Sequence, residues 1–447
     1  MKRINKFLFI ALLATGLVAC ENFADLDGVG PDDQVATDGA INDFNSASAG
    51  LVGLYNEMQD ADLIFDGFLA SPQYFSDEAI FTGTFPTRLE FGNFNVFPSN
   101  NTMEAFFTDF YDAINSVNYY ETVLPTVDDP RLTEGIANNY LAQARFIRAL
   151  CYYYLTQGWG DVPLVLDPTE PDAVGDILNV PASPRSDVID QIITDLEFAA
   201  ANSTTNDPER ANAQAANALL ARVYLTIGDY DNAYDLATGV LGEGFDLTNF
   251  PYLQDQIFYL SFTTADANSL NFFYGPSGLG GRYSIAPSSQ LIAAFEPGDN
   301  RLPQAIDTSL IPGTPFCVKY DDFKGIDAGV DPIYFLRHAE MVLIAAEGAA
   351  EKGDYDEASM WLNQVRSRAG LEDVTLDASN YVDLILQERF VELCLEGGHR
   401  LWDLRRRDRD VDVLGPIGYE ACDAVWPYPQ RDVDRNTNLN QNDCCNC

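Results

Sequence analysis

The chain has 447 residues and carries 26 Lys+Arg against 68 Asp+Glu, a formal net charge of −42. That balance excludes nucleic-acid binding, which needs a basic face to neutralise phosphates, and passive adsorption to anionic lipid. Hydrophobic residues at 47% and aromatics at 12% are enough for a large core, so the acidity is not that of a disordered chain. With only two histidines, His338 and His399, a multi-histidine metal site is excluded.

The first residues read as an address. Lys2, Arg3 and Lys6 precede a short apolar run, Phe7 to Val18, and then Leu17-Val18-Ala19-Cys20. The run is too short to span a bilayer as a stable helix, and small residues before a cysteine are what a lipoprotein signal peptidase cleaves. Residues 1–19 are therefore expected to be a lipoprotein signal peptide and Cys20 the lipidated residue. A Gly/Pro/Asp-rich stretch to residue 39 would be a flexible tether, and residues 40–447 the folded body.

Irregular sequence comes first in the body. Residues 66–102 place Tyr74, Phe81, Phe91 and Phe94 among Gly, Pro, Asn and Thr. From Ala137 to Leu155, apolar residues recur at steps of three and four, predicting a long amphipathic helix that stops at the Gly158–Pro163 turn cluster. Further helices are expected at about 185–200, 211–227, 231–241, 334–352, 356–368 and 382–395. Gly228-Asp229-Tyr230-Asp231-Asn232-Ala233 is echoed by Gly353-Asp354-Tyr355-Asp356-Glu357-Ala358. Each would be the turn of a tetratricopeptide-like helical hairpin, with Gly ending one helix, Asp231 or Asp356 capping the next, and Ala233 or Ala358 allowing close packing. The expected fold is all-α: a scaffold of such hairpins with long irregular loops. A second aromatic loop spans 245–288, and residues 408–447 form a Pro/Asp/Asn-rich tail.

Seven cysteines follow Cys20. Cys151 and Cys394 fall in apolar helical patterns and are expected as buried thiols. Cys444, Cys445 and Cys447 crowd the end, where a disulfide to Cys422 or Cys317 is favoured over a metal site. No cofactor is expected. The many carboxylates leave a structural calcium ion open, although neither Asp32–Asp43 nor Asp408–Asp412 fits a twelve-residue EF-hand loop.

The densest charge pattern is Glu388-Arg389, Glu392, Glu396, Arg400, Asp403 and Arg405. Three of its glutamates share a helix face at four-residue steps. Alternating carboxylates and guanidiniums satisfy each other, so a buried ion-pair network is favoured over a catalytic pair, with His399 a structural member of it. Binding is better supported by the two aromatic loops, because rings pack on the C–H faces of sugars. The ligand-binding candidates are Tyr74, Asp77, Phe81, Arg88 and Phe94 from the first loop, and Phe273, Tyr274, Arg282 and Tyr283 from the second. Tyr is weighted above Phe for its polar handle, and Asp77 could pair with Arg88. All four tryptophans sit in scaffold-like motifs.

The stretch Ile385–Arg406 resembles the signature of SusD/RagB-type nutrient-binding outer-membrane lipoproteins of Bacteroidetes. Ala144–Ala149, Gly160–Val165, Gly353-Asp354-Tyr355, Trp361–Gly370, Val425–Arg431 and Asn438–Asn442 follow that family's order. The resemblance implies an N-terminal SusD-like part at about 40–230 and a C-terminal RagB/SusD part at about 231–447. It implies a non-enzymatic protein, lipid-anchored in the outer membrane and facing outward, that binds a glycan or related nutrient and passes it to a SusC-like TonB-dependent transporter. The charge of −42 favours a neutral glycan over a polyanionic one. The alternative is a surface-anchored glycoside hydrolase working through a carboxylate pair. The Asp443–Cys447 ending departs from the family pattern.

Overall fold

A computed structural model describes residues 39–169, 179–320 and 329–444. The signal peptide, Cys20, the tether up to residue 38, Cys445 and Cys447 lie outside the described residues.

Helices dominate. In chain order the long ones are α1 (Phe44–Glu57), α2 (Asn101–Val123), α3 (Glu134–Trp159), α4 (Arg185–Asn202), α5 (Ala213–Ile227), α6 (Tyr230–Leu241), α7 (His338–Glu351), α8 (Tyr355–Ala369), α9 (Tyr381–Glu392) and α10 (His399–Arg406). From α2 to α8 each packs on the next in sequence, as the short connections of α5–α6 and α7–α8 favour for those two pairs. No described helix is long and apolar enough to cross a membrane. Helix α3 runs from a Thr133 cap to Gly160, which takes φ +73°. Its second half is buried all round, from Phe146 to Trp159.

The repeated motif makes the two expected hairpins, α5–α6 and α7–α8. The caps are Asp229 and Asp354 rather than Asp231 and Asp356. Each accepts a backbone N–H three residues on, from Asn232 at 3.2 Å and Glu357 at 3.0 Å. The helices begin one residue earlier than expected, so Asp231 and Asp356 fall in the first turn, where a carboxylate still complements the helix dipole. Ala233 and Ala358 are buried. Although about a hundred residues separate the hairpins, α6 packs directly on α7. The approach is close enough that a Cβ on Gly348 would lie 2.7 Å from the Tyr234 Cβ.

The expected helix at 334–352 is corrected at its start. Ile333–Arg337 is a strand, paired antiparallel with Gln256–Leu260, and the helix begins at His338. Its Ile, Tyr and Phe suit a pleated buried surface, and a short apolar run does not distinguish strand from helix. Sequence periodicity also did not bring out α1 and α2. Cys151, Cys317 and Cys394 are buried free thiols. Cys317 is thereby excluded as the tail's disulfide partner, while Cys422 and Cys444 are both disulfide-bonded.

Candidate functional site

The two aromatic loops meet. Strand β1 (Ala79–Phe81) of the first pairs antiparallel with strand β2 (Ile285–Pro287) of the second, Phe81 opposite Ile285. The second loop doubles back on itself. Arg282 N–H donates to the Phe272 carbonyl at 2.6 Å, Tyr283 N–H to Gly275 at 2.8 Å and Ser284 N–H to Phe273 at 2.7 Å. Gly281 is required here, since a Cβ would fall 2.1 Å from the Gly275 carbonyl oxygen. Thr82 N–H reaches the Ser284 carbonyl at 3.0 Å, and its hydroxyl donates to the Tyr283 carbonyl. A backbone framework therefore holds the region where the loops present side chains.

That framework sorts the candidates. Tyr74 and Tyr274 are each 1% exposed. The Tyr274 hydroxyl donates to Gln73 at 2.8 Å, and the Tyr74 ring meets Phe81 edge-on at 5.4 Å. Both are core residues, a correction to the weighting of Tyr over Phe. Phe94 is also buried, edge-on to Phe75 and Tyr419. Asp77 is buried and bound to Arg400, not to Arg88. These four offer no face to a ligand. Phe81 and Tyr283 are half-buried, and the Tyr283 hydroxyl donates to the Pro315 carbonyl at 2.8 Å.

Arg88, Phe273 and Arg282 are brought together. Arg88 grips Asp66 with two hydrogen bonds of 2.8 and 2.7 Å. Burial pushes the Asp66 carboxyl up, against the downward pull of Arg88. The Arg88 guanidinium lies 4.9, 5.0 and 5.1 Å from the ring centroids of Phe65, Phe85 and Phe273, and Phe65 stacks on Phe273 at 4.2 Å. The Arg282 guanidinium lies 4.4 Å from the Phe85 centroid. At the surface, Phe85 is 39% exposed and Phe272 44%, and Phe272 meets Phe273 at 5.4 Å. Phe85 and Phe272 were missed as candidates. The available signal was their place beside Arg88 and Phe273 in the same loops, but nothing in residue type separates them from Phe94, which is core. The four tryptophans are buried.

The charge pattern of α9 and α10 forms a buried network. Glu388 pairs with Arg301 at 2.6 Å and Arg366 at 3.1 Å. Glu392 accepts from Arg337 at 2.9 Å, Arg301 at 3.1 Å and Arg368. Burial alone would raise its carboxyl, but Arg368, Arg337 and Arg301 hold it below the usual range. Glu396 binds Arg337 at 2.8 Å and Lys319. Arg389 pairs with Asp403 at 2.7 Å, and Arg405 donates to the Gln157 and Asp423 carbonyls. His399 is buried, and burial followed by Arg222 and Arg389 keeps its imidazole neutral. Every glutamate of the pattern is engaged by cations, which suits a scaffold rather than proton transfer. His338 is likewise partnered, stacked at 5.3 Å on Phe245 and 5.7 Å on Phe250.

Asp60, Asp62 and Asp109 place carboxylate oxygens within 4.8 Å of one another. Burial first, then repulsion by Asp60, Asp62 and Asp112, pushes the Asp109 carboxyl up to about 7. An apolar cleft of about 430 Å³ between α1 and α2, lined by Gly50, Gly53 and Tyr119 among others, includes none of the candidates.

Two family models match the chain: the SusD family over residues 312–420, and "starch-binding associating with outer membrane" over residues 87–225. The SusD-like protein P2 of Formosa agariphila is 26% identical, the match covering 80% of this chain and 84% of P2. The SusD-like protein P38 of the same organism is 24% identical over 97% of each. Among solved structures, a laminarin-binding SusD-like protein superposes with a TM-score of 0.77 at 24% identity, over 90% of this chain and 99% of that one. A SusD homolog from Bacteroides thetaiotaomicron gives 0.79 at 18% identity, over 92% and 99%. Together these matches support a SusD/RagB family protein.

Proposed function

We propose that the protein binds a glycan at the paired aromatic loops, without hydrolysing it, and delivers it to a SusC-like TonB-dependent transporter. The observation that carries the reading is the β1–β2 pairing, which fixes both loops so that Phe85 and Phe272 offer ring surface beside Arg282. Aromatic planes favour the C–H faces of sugar rings, and a rigid backbone frame limits the ordering cost of binding. The laminarin-binding neighbour and the starch-binding family description support the ligand class. The same description supports association with the outer membrane, and acylated Cys20 would supply the anchor, with the body facing the exterior.

The test is binding of the soluble body, residues 40–447, to a panel of polysaccharides, with release of new reducing ends followed in parallel. Binding without release supports the reading. Release would establish the hydrolase alternative, and failure to bind any glycan would remove the ligand class.

A further inference from the structure

The two arginines at the loop patch differ in one respect. Arg88 is neutralised by Asp66 through a bidentate pair. Arg282 is exposed and rests on the Phe85 ring, and among the described residues no carboxylate forms an ion pair with it. In a chain with 42 more acids than bases, an exposed guanidinium that rests on the Phe85 ring and has no ion-pair partner among the described residues stands out; its backbone N–H is bonded to the carbonyl of Phe272, the other exposed phenylalanine.

We propose that the ligand's sugars carry an anionic substituent, a carboxylate or a sulfate ester, and that Arg282 is its counter-charge while Phe85 and Phe272 pack against the ring faces. The inference rests on the reading that this patch binds glycan. A guanidinium presents N–H donors in a planar fork that matches the oxygens of either anion, and such charge-assisted bonds are about twice as strong as neutral ones. Its place on the Phe85 ring orients the fork. The remote carboxylates oppose an anion only weakly, because salt screens them beyond about 8 Å at physiological ionic strength, whereas a contact pair at about 3 Å is hardly screened. The local arrangement thus outweighs the net charge, which by itself favours a neutral glycan. A neutral sugar leaves Arg282 only hydroxyl acceptors and forgoes about tenfold or more in affinity.

The test titrates the wild type, Arg282→Gln, Arg282→Lys and the double variant Phe85→Ala/Phe272→Ala calorimetrically at two salt concentrations. Four oligosaccharide probes are used: mannuronate for the carboxylate, iota-carrageenan for the sulfate ester, and neutral agarose and laminarin fragments. At least one anionic probe should bind the wild type at least tenfold tighter than both neutral ones, and which one identifies the group. Arg282→Gln should erase that gap and most of its salt dependence at an unchanged melting temperature, and Arg282→Lys should restore part. Tighter binding of a neutral probe, or an unchanged anionic affinity in Arg282→Gln, overturns the inference. If the phenylalanine variant still loses the neutral probe in that case, the glycan site itself stands. No binding of any probe overturns the inference, and the polysaccharide panel then decides the site.

Discussion

Asp77 and Arg400, 323 residues apart in sequence, form a bidentate ion pair with both hydrogen bonds at 2.8 Å. The neighbouring Glu78 carboxylate accepts the Leu395 N–H. The start of β1 is therefore bolted to the charged signature of α9 and α10. Through β1 and β2 the same bolt reaches the second loop, so the aromatic patch inherits its position from the scaffold.

Breaking that bolt should be costly. The Asp77 and Arg400 side chains are largely buried, and the Arg400 guanidinium also rests on the Phe390 ring at 4.0 Å. Asp77→Ala strands a buried cation and should lower unfolding free energy by about 3 kcal/mol. Adding Arg400→Leu should recover part of the loss in urea denaturation, since the unpaired charge is removed. A double variant less stable than Asp77→Ala would show that the pair is not the coupling element.

Tyrosine and phenylalanine should separate in opposite directions from residue type. Tyr74→Ala and Tyr274→Ala empty fully buried sites and should each cost about 3–5 kcal/mol. Phe85→Ala and Phe272→Ala should shift stability by less than about 1 kcal/mol. Thermal melts of the four variants decide this.

Asp109 sets a pH dependence. Its folded-state value, about 7, lies above the unfolded value near 4. The folded state therefore binds the proton more tightly. The stability this confers is complete below about pH 4 and is lost as pH rises through about 7. Asp109→Asn should match the wild type at pH 4. At pH 8 it should exceed it by about 1 kcal/mol, a figure reduced for the partial exposure of the group. Chemical denaturation at the two pH values measures the difference.

The stacking of the hairpins depends on Gly348. An added methyl would meet the Tyr234 Cβ at 2.7 Å and the Tyr230 carbonyl oxygen at 3.1 Å. Gly348→Ala should destabilise by about 1–3 kcal/mol. Gly239→Ala, in α6 with nothing within 4 Å, should gain up to about 1 kcal/mol from helix propensity. Paired urea titrations of the two variants read both signs.

The helical scaffold was legible because its signals are local. Apolar steps of three and four mark α3, and Gly-Asp-Tyr marks both hairpin turns. The charged signature was also readable as a network, since its acids and bases alternate. What escaped were facts of long range. Asp66 and Arg400, not each other, are the partners of Arg88 and Asp77, and neither pairing has a sequence signal. Whether Tyr274 or Phe272 faces solvent depends on how 272–275 folds against 281–284, which no composition encodes. For Ile333–Arg337 the partner strand decided between strand and helix.

The central claim is that the paired loops form a glycan site on exposed phenylalanines. The most direct measurement is the affinity of Phe85→Ala/Phe272→Ala for whichever polysaccharide the wild-type body binds, with melting temperatures recorded alongside. Fully covering an exposed phenylalanine ring contributes about 1.5–3 kcal/mol, so a loss of at least tenfold at a nearly unchanged melting temperature is predicted. Wild-type affinity in the double variant would contradict the account.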